Sequence, residues 1–138
     1  MVKAQEIAKV IGKTPTPEQI EIIESELQPA VVIAGAGSGK TETMATRVLW
    51  LVANGHAKPE EILGLTFTRK AAAELKKRIK DRLKQLRKSG LIDKDLSIDV
   101  PVMTYHSYAG NILREYGLRL GIDTDSELIG EAIVWQQA

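Results

Sequence analysis

The stretch Ala30-Val31-Val32-Ile33-Ala34-Gly35-Ala36-Gly37-Ser38-Gly39-Lys40-Thr41 runs from a short apolar segment into a glycine-rich loop ending in Gly-Lys-Thr. Strand, loop and then helix is the order that a phosphate-binding loop requires. Gly35, Gly37 and Gly39 carry no Cβ, so the backbone can turn tightly and point several N–H groups at one anion. Lys40 adds a full positive charge. The helix expected to start near Lys40 adds the positive end of its dipole, and Thr41 offers a hydroxyl where a phosphate-bound Mg²⁺ would sit. Together these parts predict a nucleoside triphosphate site with Lys40 and Thr41 as its chemically active side chains. The pattern G-x-x-x-x-G-K-[ST] is departed from once, at Ala34, which stands where the first Gly is expected. The dinucleotide pattern G-x-G-x-x-G fails because Lys40 takes its last Gly position.

The chain has 138 residues, 43% of them hydrophobic and 4% aromatic, which suits one domain with a real core. It contains no cysteine, so disulfides and thiolate metal sites are excluded. No apolar run approaches the length of a signal peptide core or a membrane span, and a cytoplasmic location without membrane partners is expected. The net charge of +1 hides a strong segregation. Arg69 to Lys88 holds ten basic and two acidic residues, leaving nine basic and sixteen acidic residues elsewhere.

Periodicity and punctuation predict alternating helices and strands. Thr16-Pro17-Glu18-Gln19 has capping-box spacing with Pro at the first helical position, and Ile20, Ile23 and Leu27 mark one helical face. A first strand is expected at Ala30 to Ala34. The loop then opens a helix that carries Met44, Val48, Leu51 and Val52 inward and stops at Asn54-Gly55. A second strand is expected at Ile62 to Thr66, followed by a long helix from about Ala71 to Lys88. There, Ala72, Leu75, Ile79, Leu83 and Leu86 fall three and four residues apart. Ser89-Gly90 ends it, a third strand is expected near Val100 to Thr104, and a helix from about Ser107 to Leu120. Thr124 and Glu127 suggest one more helix. This order predicts a parallel sheet flanked by helices, with ligands bound beyond the carboxyl ends of its strands.

Two segments should emerge at that edge, Thr66-Phe67-Thr68-Arg69-Lys70 and Thr104-Tyr105-His106. Hydroxyls, cations and one aromatic at a strand end, followed by a basic helix, suit a single nucleic-acid strand. The polar groups would hold phosphates while Phe67 offers a face for a base. The plainer alternatives are a solvated basic surface and a core aromatic. Two histidines give no metal-ligand spacing.

With these segments in view, the chain resembles the N-terminal part of the UvrD-like DNA helicases, the group that includes Rep, PcrA and RecB. TPEQ at Thr16 to Gln19 resembles the adenine-reading glutamine motif, and AGAGSGKT resembles the family's Ala-first Walker A loop. LTFTRKAAAEL at Leu65 to Leu75 resembles motif Ia, and MTYHSYAGNIL at Met103 to Leu113 resembles motif Ib. GKTETMATRVLWLVANG and LIGEAIVWQQA further resemble the B-subunit type of the actinobacterial AdnAB helicase-nucleases. Arg69 and Tyr105 depart from the family, where Asn and Phe are frequent. The resemblance implies a P-loop NTPase fold with a RecA-like sheet, ATP and Mg²⁺ as cofactors, and ATP-driven 3′ to 5′ movement on single-stranded DNA in repair or recombination. It places Gln19 on the adenine. Ala34, Gly35, Ala36, Gly37, Ser38, Gly39, Lys40 and Thr41 fall on the phosphates and metal. Thr66, Phe67, Thr68, Arg69 and Lys70 fall on DNA, with Thr104, Tyr105 and His106. Implied partners are single-stranded DNA, single/double-strand junctions and a helicase-nuclease partner subunit.

The family's Walker B acids, at the end of an apolar strand, have no counterpart in the sequence, and Asp93, Asp95 and Asp99 lie in a different context. Residues 1 to 138 are therefore expected to be the N-terminal portion of helicase domain 1A, an incomplete RecA-like domain. Two rivals stay open on the residues alone. A small-molecule kinase would need its own acidic metal ligands and an acceptor lid. A non-motor nucleotide- or DNA-binding module would need neither.

Overall fold

The computed structural model describes residues 1–37 and 39–121. Seven main elements follow in order: α1 (Ala4–Ile11), α2 (Pro17–Ile23), α3 (Lys40–Ala53), β1 (Gly64–Thr66), α4 (Arg69–Ser89), β2 (Val102–Thr104) and α5 (Tyr105–Tyr116). Short 3₁₀ turns stand at Pro59–Glu61 and Gly117–Leu120.

The long helix α4 organises the rest. Its stripe Ala72, Leu75, Ile79, Leu83 and Leu86 is buried along its whole length, as the spacing predicts. Thr68 caps its start, accepting a hydrogen bond from the Ala71 N–H at 3.1 Å, and Gly90 closes its end in the left-handed region at φ 85°. β1 and β2 pair in parallel on either side of this crossover, with Gly64 opposite Val102, Leu65 opposite Met103 and Thr66 opposite Thr104. Gly64 is needed there: a Cβ would stand 3.2 Å from a Val102 methyl carbon and 3.7 Å from Leu75 Cδ2. Against α4 lie α1 and α3, and α2 packs on α3. Ile7, Ile23, Leu49, Ile79, Leu83 and Leu86 form the most deeply buried part of the core.

Several expectations need correction. The strand expected at Ala30 to Ala34 is irregular chain, with Val31 88% and Ile33 93% exposed. A strand needs a ladder partner, and among the described residues the two strands pair only with each other. The helix capped by Thr16, α2, ends at Ile23 rather than near Leu27, which is exposed. On α3, Val48, Leu51 and Val52 face inward but Met44 is exposed; the buried face also takes Thr43, Ala45, Thr46, Leu49 and Trp50. α1 was not foreseen in the sequence at all. The helix suggested by Thr124 and Glu127 lies outside the described residues.

Two side chains lock the helices together. Arg47 on α3 donates from Nη1 to the carbonyls of Ile22 at 3.0 Å, Ile23 at 3.1 Å and Ser25 at 2.9 Å, and from Nη2 to Glu26 at 3.2 Å. It thereby satisfies the open carbonyl end of α2 with a cation, as the helix dipole favours. Burial lowers the Arg47 pKa from its ordinary value, and the guanidinium stays charged. Asn54, capping α3, accepts from the Val2 N–H at 2.7 Å and donates back to the Val2 carbonyl at 3.0 Å, tying down the N-terminus.

Candidate functional site

The glycine-rich loop turns as its composition requires. Gly37 and Gly39 take left-handed φ values of 77° and 80°, whereas Gly35 lies outside that region. Ser38 lies outside the described residues. Gly39 is the N-cap of α3, so Lys40 and Thr41 begin the helix, both exposed, where unpaired backbone N–H groups and the positive dipole end face outward. Thr43 fastens this first turn, its N–H and its Oγ1 both donating to the Gly39 carbonyl at 2.9 Å.

Gln19 stands directly beside the loop. A Cβ built on Gly39 would meet Gln19 Nε2 at 3.1 Å. Gln19 is also the reciprocal cap of Thr16: its Oε1 accepts from the Thr16 N–H at 2.9 Å, and its own N–H donates to Thr16 Oγ1 at 3.2 Å. The capping bonds lie on the Thr16 side of this residue, while its amide nitrogen lies on the side of the loop. A cavity of about 370 Å³ opens between α2 and the loop, bounded by Thr16, Gln19, Ile22, Val32, Ile33, Ala34, Lys40 and Met44. Ile22, Val32, Ile33, Ala34 and Met44 give it apolar walls, and Thr16, Glu18, Gln19, Lys40 and Thr43 supply its polar groups, a composition that can take a flat ring carrying a charged tail. Among the described residues Lys40 makes no ion pair, so its charge is available to an anion. The loop, Lys40 and Thr41 thus fit a triphosphate with its Mg²⁺.

At the carboxyl ends of β1 and β2 the parallel register brings the other two segments together. Phe67, 88% exposed, lies with its ring centroid 5.2 Å from that of Tyr105, the planes tilted by 35°. Arg69, Lys70 and His106 are exposed beside this pair. The hydroxyls are engaged locally. Thr66 Oγ1 donates to the Thr68 carbonyl at 3.0 Å, and Thr68 caps α4. Thr104 is buried, donating to Ser107 Oγ at 2.9 Å and accepting the Ser107 N–H at 3.1 Å as the cap of α5. Thr104 therefore sets where Tyr105 and His106 project, while the exposed ring and cation groups form the open surface.

The basic helix does not present every charge outward. Arg82 and Arg78 turn to Glu42 on α3, and Lys80 pairs with Asp99 at 3.3 Å. Asp93 accepts from the Asp95 N–H at 3.1 Å in a local turn of the irregular stretch before β2. Sequence reasoning missed Glu42 and Arg47; a carboxylate directly after Gly-Lys-Thr was the one available signal.

A parallel strand pair bridged by a helix, with a glycine-rich loop opening a second helix beside a ring-sized cavity, defines an α/β protein with an anion-competent loop. Residues 15–136 match the UvrD/REP helicase N-terminal domain, and the chain belongs to that family. It is 35% identical over 112 residues to the ATP-dependent DNA helicase PcrA of Leuconostoc citreum, covering 81% of this chain and 14% of the relative. It is 37% identical over 99 residues to DNA helicase IV of Escherichia coli, covering 72% of this chain and 13% of the relative. With PcrA of Bacillus subtilis it shares 34% identity over 116 residues, 84% of this chain and 14% of that one. The chain thus spans about one seventh of the length of the curated relatives it matches. No helix among the described residues is long and apolar enough to cross a membrane.

Proposed function

We propose that these residues form the ATP-binding portion of a DNA helicase, a RecA-like P-loop domain that holds Mg-ATP at Ala34 to Thr41 and a single DNA strand at the ends of β1 and β2. The observation that carries this reading is the meeting of Gln19 with Gly39 at one rim of a cavity that also holds Lys40. A base-reading amide, a phosphate cation and a helix N-terminus then lie in the order of base and phosphates along one nucleotide. Lys40 offsets phosphate charge, the loop amides orient the phosphate oxygens, and Gln19 donates and accepts at the adenine edge. Thr41 would hold Mg²⁺ as one of its ligands, and the bound ion would supply charge neutralisation for phosphoryl transfer. No apolar run in the sequence is followed by an acidic pair, so on this reading residues 1 to 138 bind and orient the nucleotide and do not supply the groups that activate water.

The whole protein, on this reading, moves 3′ to 5′ on single-stranded DNA and opens junctions in repair or recombination. The finer assignment to the B-subunit type of AdnAB, with a helicase-nuclease partner subunit in the cytoplasm, rests on the stretches Gly39 to Gly55 and Leu128 to Ala138. The strand surface is Phe67 and Tyr105, on which bases stack, with Arg69, Lys70 and His106 beside them for phosphates.

Anisotropy of a labelled single-stranded oligonucleotide, titrated across salt concentrations, tests the DNA half. Binding is expected to be weak, tolerant of sequence and steeply salt-dependent. Phe67→Ala should lower affinity at every salt concentration by about 1–3 kcal/mol, the worth of one stacked base. Lys70→Ala should reduce the salt slope by about one phosphate contact. No binding even at low ionic strength would return this surface to a solvated basic face.

A further inference from the structure

Glu42 follows Thr41 directly, in the first turn of α3, so a carboxylate sits next to the loop assigned to a polyanion. Its stem stands close behind the loop: a Cβ on Gly39 would lie 4.0 Å from Glu42 Cβ. An unpaired carboxylate at a helix N-terminus interacts with the same dipole and free amides that a phosphate uses, and it repels phosphate charge. Here the carboxylate is taken up by α4. Arg82 grips it in a two-pronged pair, Nη1 to Oε1 and Nη2 to Oε2 at 2.9 Å, while Arg78 Nη1 adds a contact to Oε2 at 3.6 Å. The Arg82 side chain is 13% exposed and that of Glu42 27%, so the pair is partly shielded from solvent, and its two-pronged contact favours one geometry.

We propose that Arg82, assisted by Arg78, is a positioning residue for the phosphate site: it neutralises Glu42 and holds it away from the loop, leaving Lys40 and the start of α3 open to the triphosphate. The inference rests on the nucleotide reading above and adds to it a dependence of phosphate affinity on a residue of the basic helix. Arg82 itself touches no phosphate. Losing it would leave Glu42 as a rival anion beside the loop.

The test is titration of the 138-residue chain with a fluorescent, non-hydrolysable Mg-ATP analogue. Arg82→Gln, Glu42→Gln and the double variant are compared, each with its thermal midpoint. Arg82→Gln is expected to weaken binding about five-fold or more at low salt, the loss shrinking as salt screens the uncompensated charge. The double variant, which lacks the carboxylate, should return to within about two-fold of the parent. Glu42→Gln alone should bind at least as tightly as the parent, which keeps the question decidable if Arg82→Gln does not fold. A purely structural pair would lower the thermal midpoint and leave affinity unchanged, or leave the double variant as weak as Arg82→Gln; either result overturns the inference, as does weaker binding by Glu42→Gln. A parent chain that binds no analogue would remove the nucleotide site and this inference with it. A parent that binds, with Arg82→Gln its equal, would remove the inference alone.

Discussion

Gln19 combines an observed cap with a proposed role in reading the base. Its backbone N–H and side-chain oxygen close a capping box with Thr16, while its amide nitrogen lies against Gly39 of the loop. The cap was legible in Thr-Pro-Glu-Gln, but the approach of Gln19 to Gly39 was not, because nothing in the residues themselves states how α2 sits relative to the loop. Arg47 sets that placement by binding four carbonyls at the end of α2 from its position on α3. Gln19→Ala is therefore expected to have two separable effects. The lost cap should cost about 1 kcal/mol of stability, seen in chemical denaturation. The lost base contact should reduce the preference for adenine over guanine nucleotides, seen in competition titrations. A stability loss with unchanged base preference would leave Gln19 as a cap only.

Among the elements, α4 was the most legible and α1 the least. The stripe from Ala72 to Leu86 has helical spacing over several turns, and the threonine before α4 and the glycine after it mark its ends. α1 also has apolar residues at helical spacing, Ala4, Ile7, Ala8 and Ile11. Its N-cap is Lys3, which offers no oxygen to the first turn, although Glu6 Oε2 accepts the Lys3 N–H at 2.6 Å. The Ala4 N–H is satisfied by Glu24 Oε1 at 2.8 Å, a residue twenty positions away, so the helix depends on tertiary packing. The difference in burial sets the expected costs on α4. Leu83→Ala removes a side chain with no solvent exposure and should destabilise by about 2–5 kcal/mol. Thr68→Ala removes only an exposed cap and should cost about 1 kcal/mol. Urea unfolding of both variants checks the ranking; equal losses would mean that α4 is not seated on the core as described.

For the molecule as a whole, the charge pattern and the sheet are where sequence and structure part. The basic helix reads as one positive surface in the sequence, yet Arg78 and Arg82 pair with Glu42 and Lys80 with Asp99, while Arg69, Lys70, Lys76, Lys77, Lys84 and Lys88 are exposed along its length. Arg82 lies about 20 Å along the helix from Arg69 at 1.5 Å per residue, so α4 reaches from Glu42, beside the glycine-rich loop, to the ends of β1 and β2. The segment Val31 to Ile33 has strand composition but no ladder partner among the described residues. Composition could not reveal this, since pairing depends on what lies alongside rather than on the segment itself. What the residues alone made legible is the glycine-rich loop with its lysine, and the capping glutamine of α2. The most direct measurement of the central claim is titration of a labelled Mg-ATP analogue with the parent chain and with Lys40→Ala, with folding of both verified by circular dichroism. The parent is expected to bind saturably, and Lys40→Ala to lose about ten-fold or more in affinity, since a charge-assisted contact to phosphate is removed; equal affinity in the two chains would contradict the assignment of Ala34 to Thr41 as a nucleotide site.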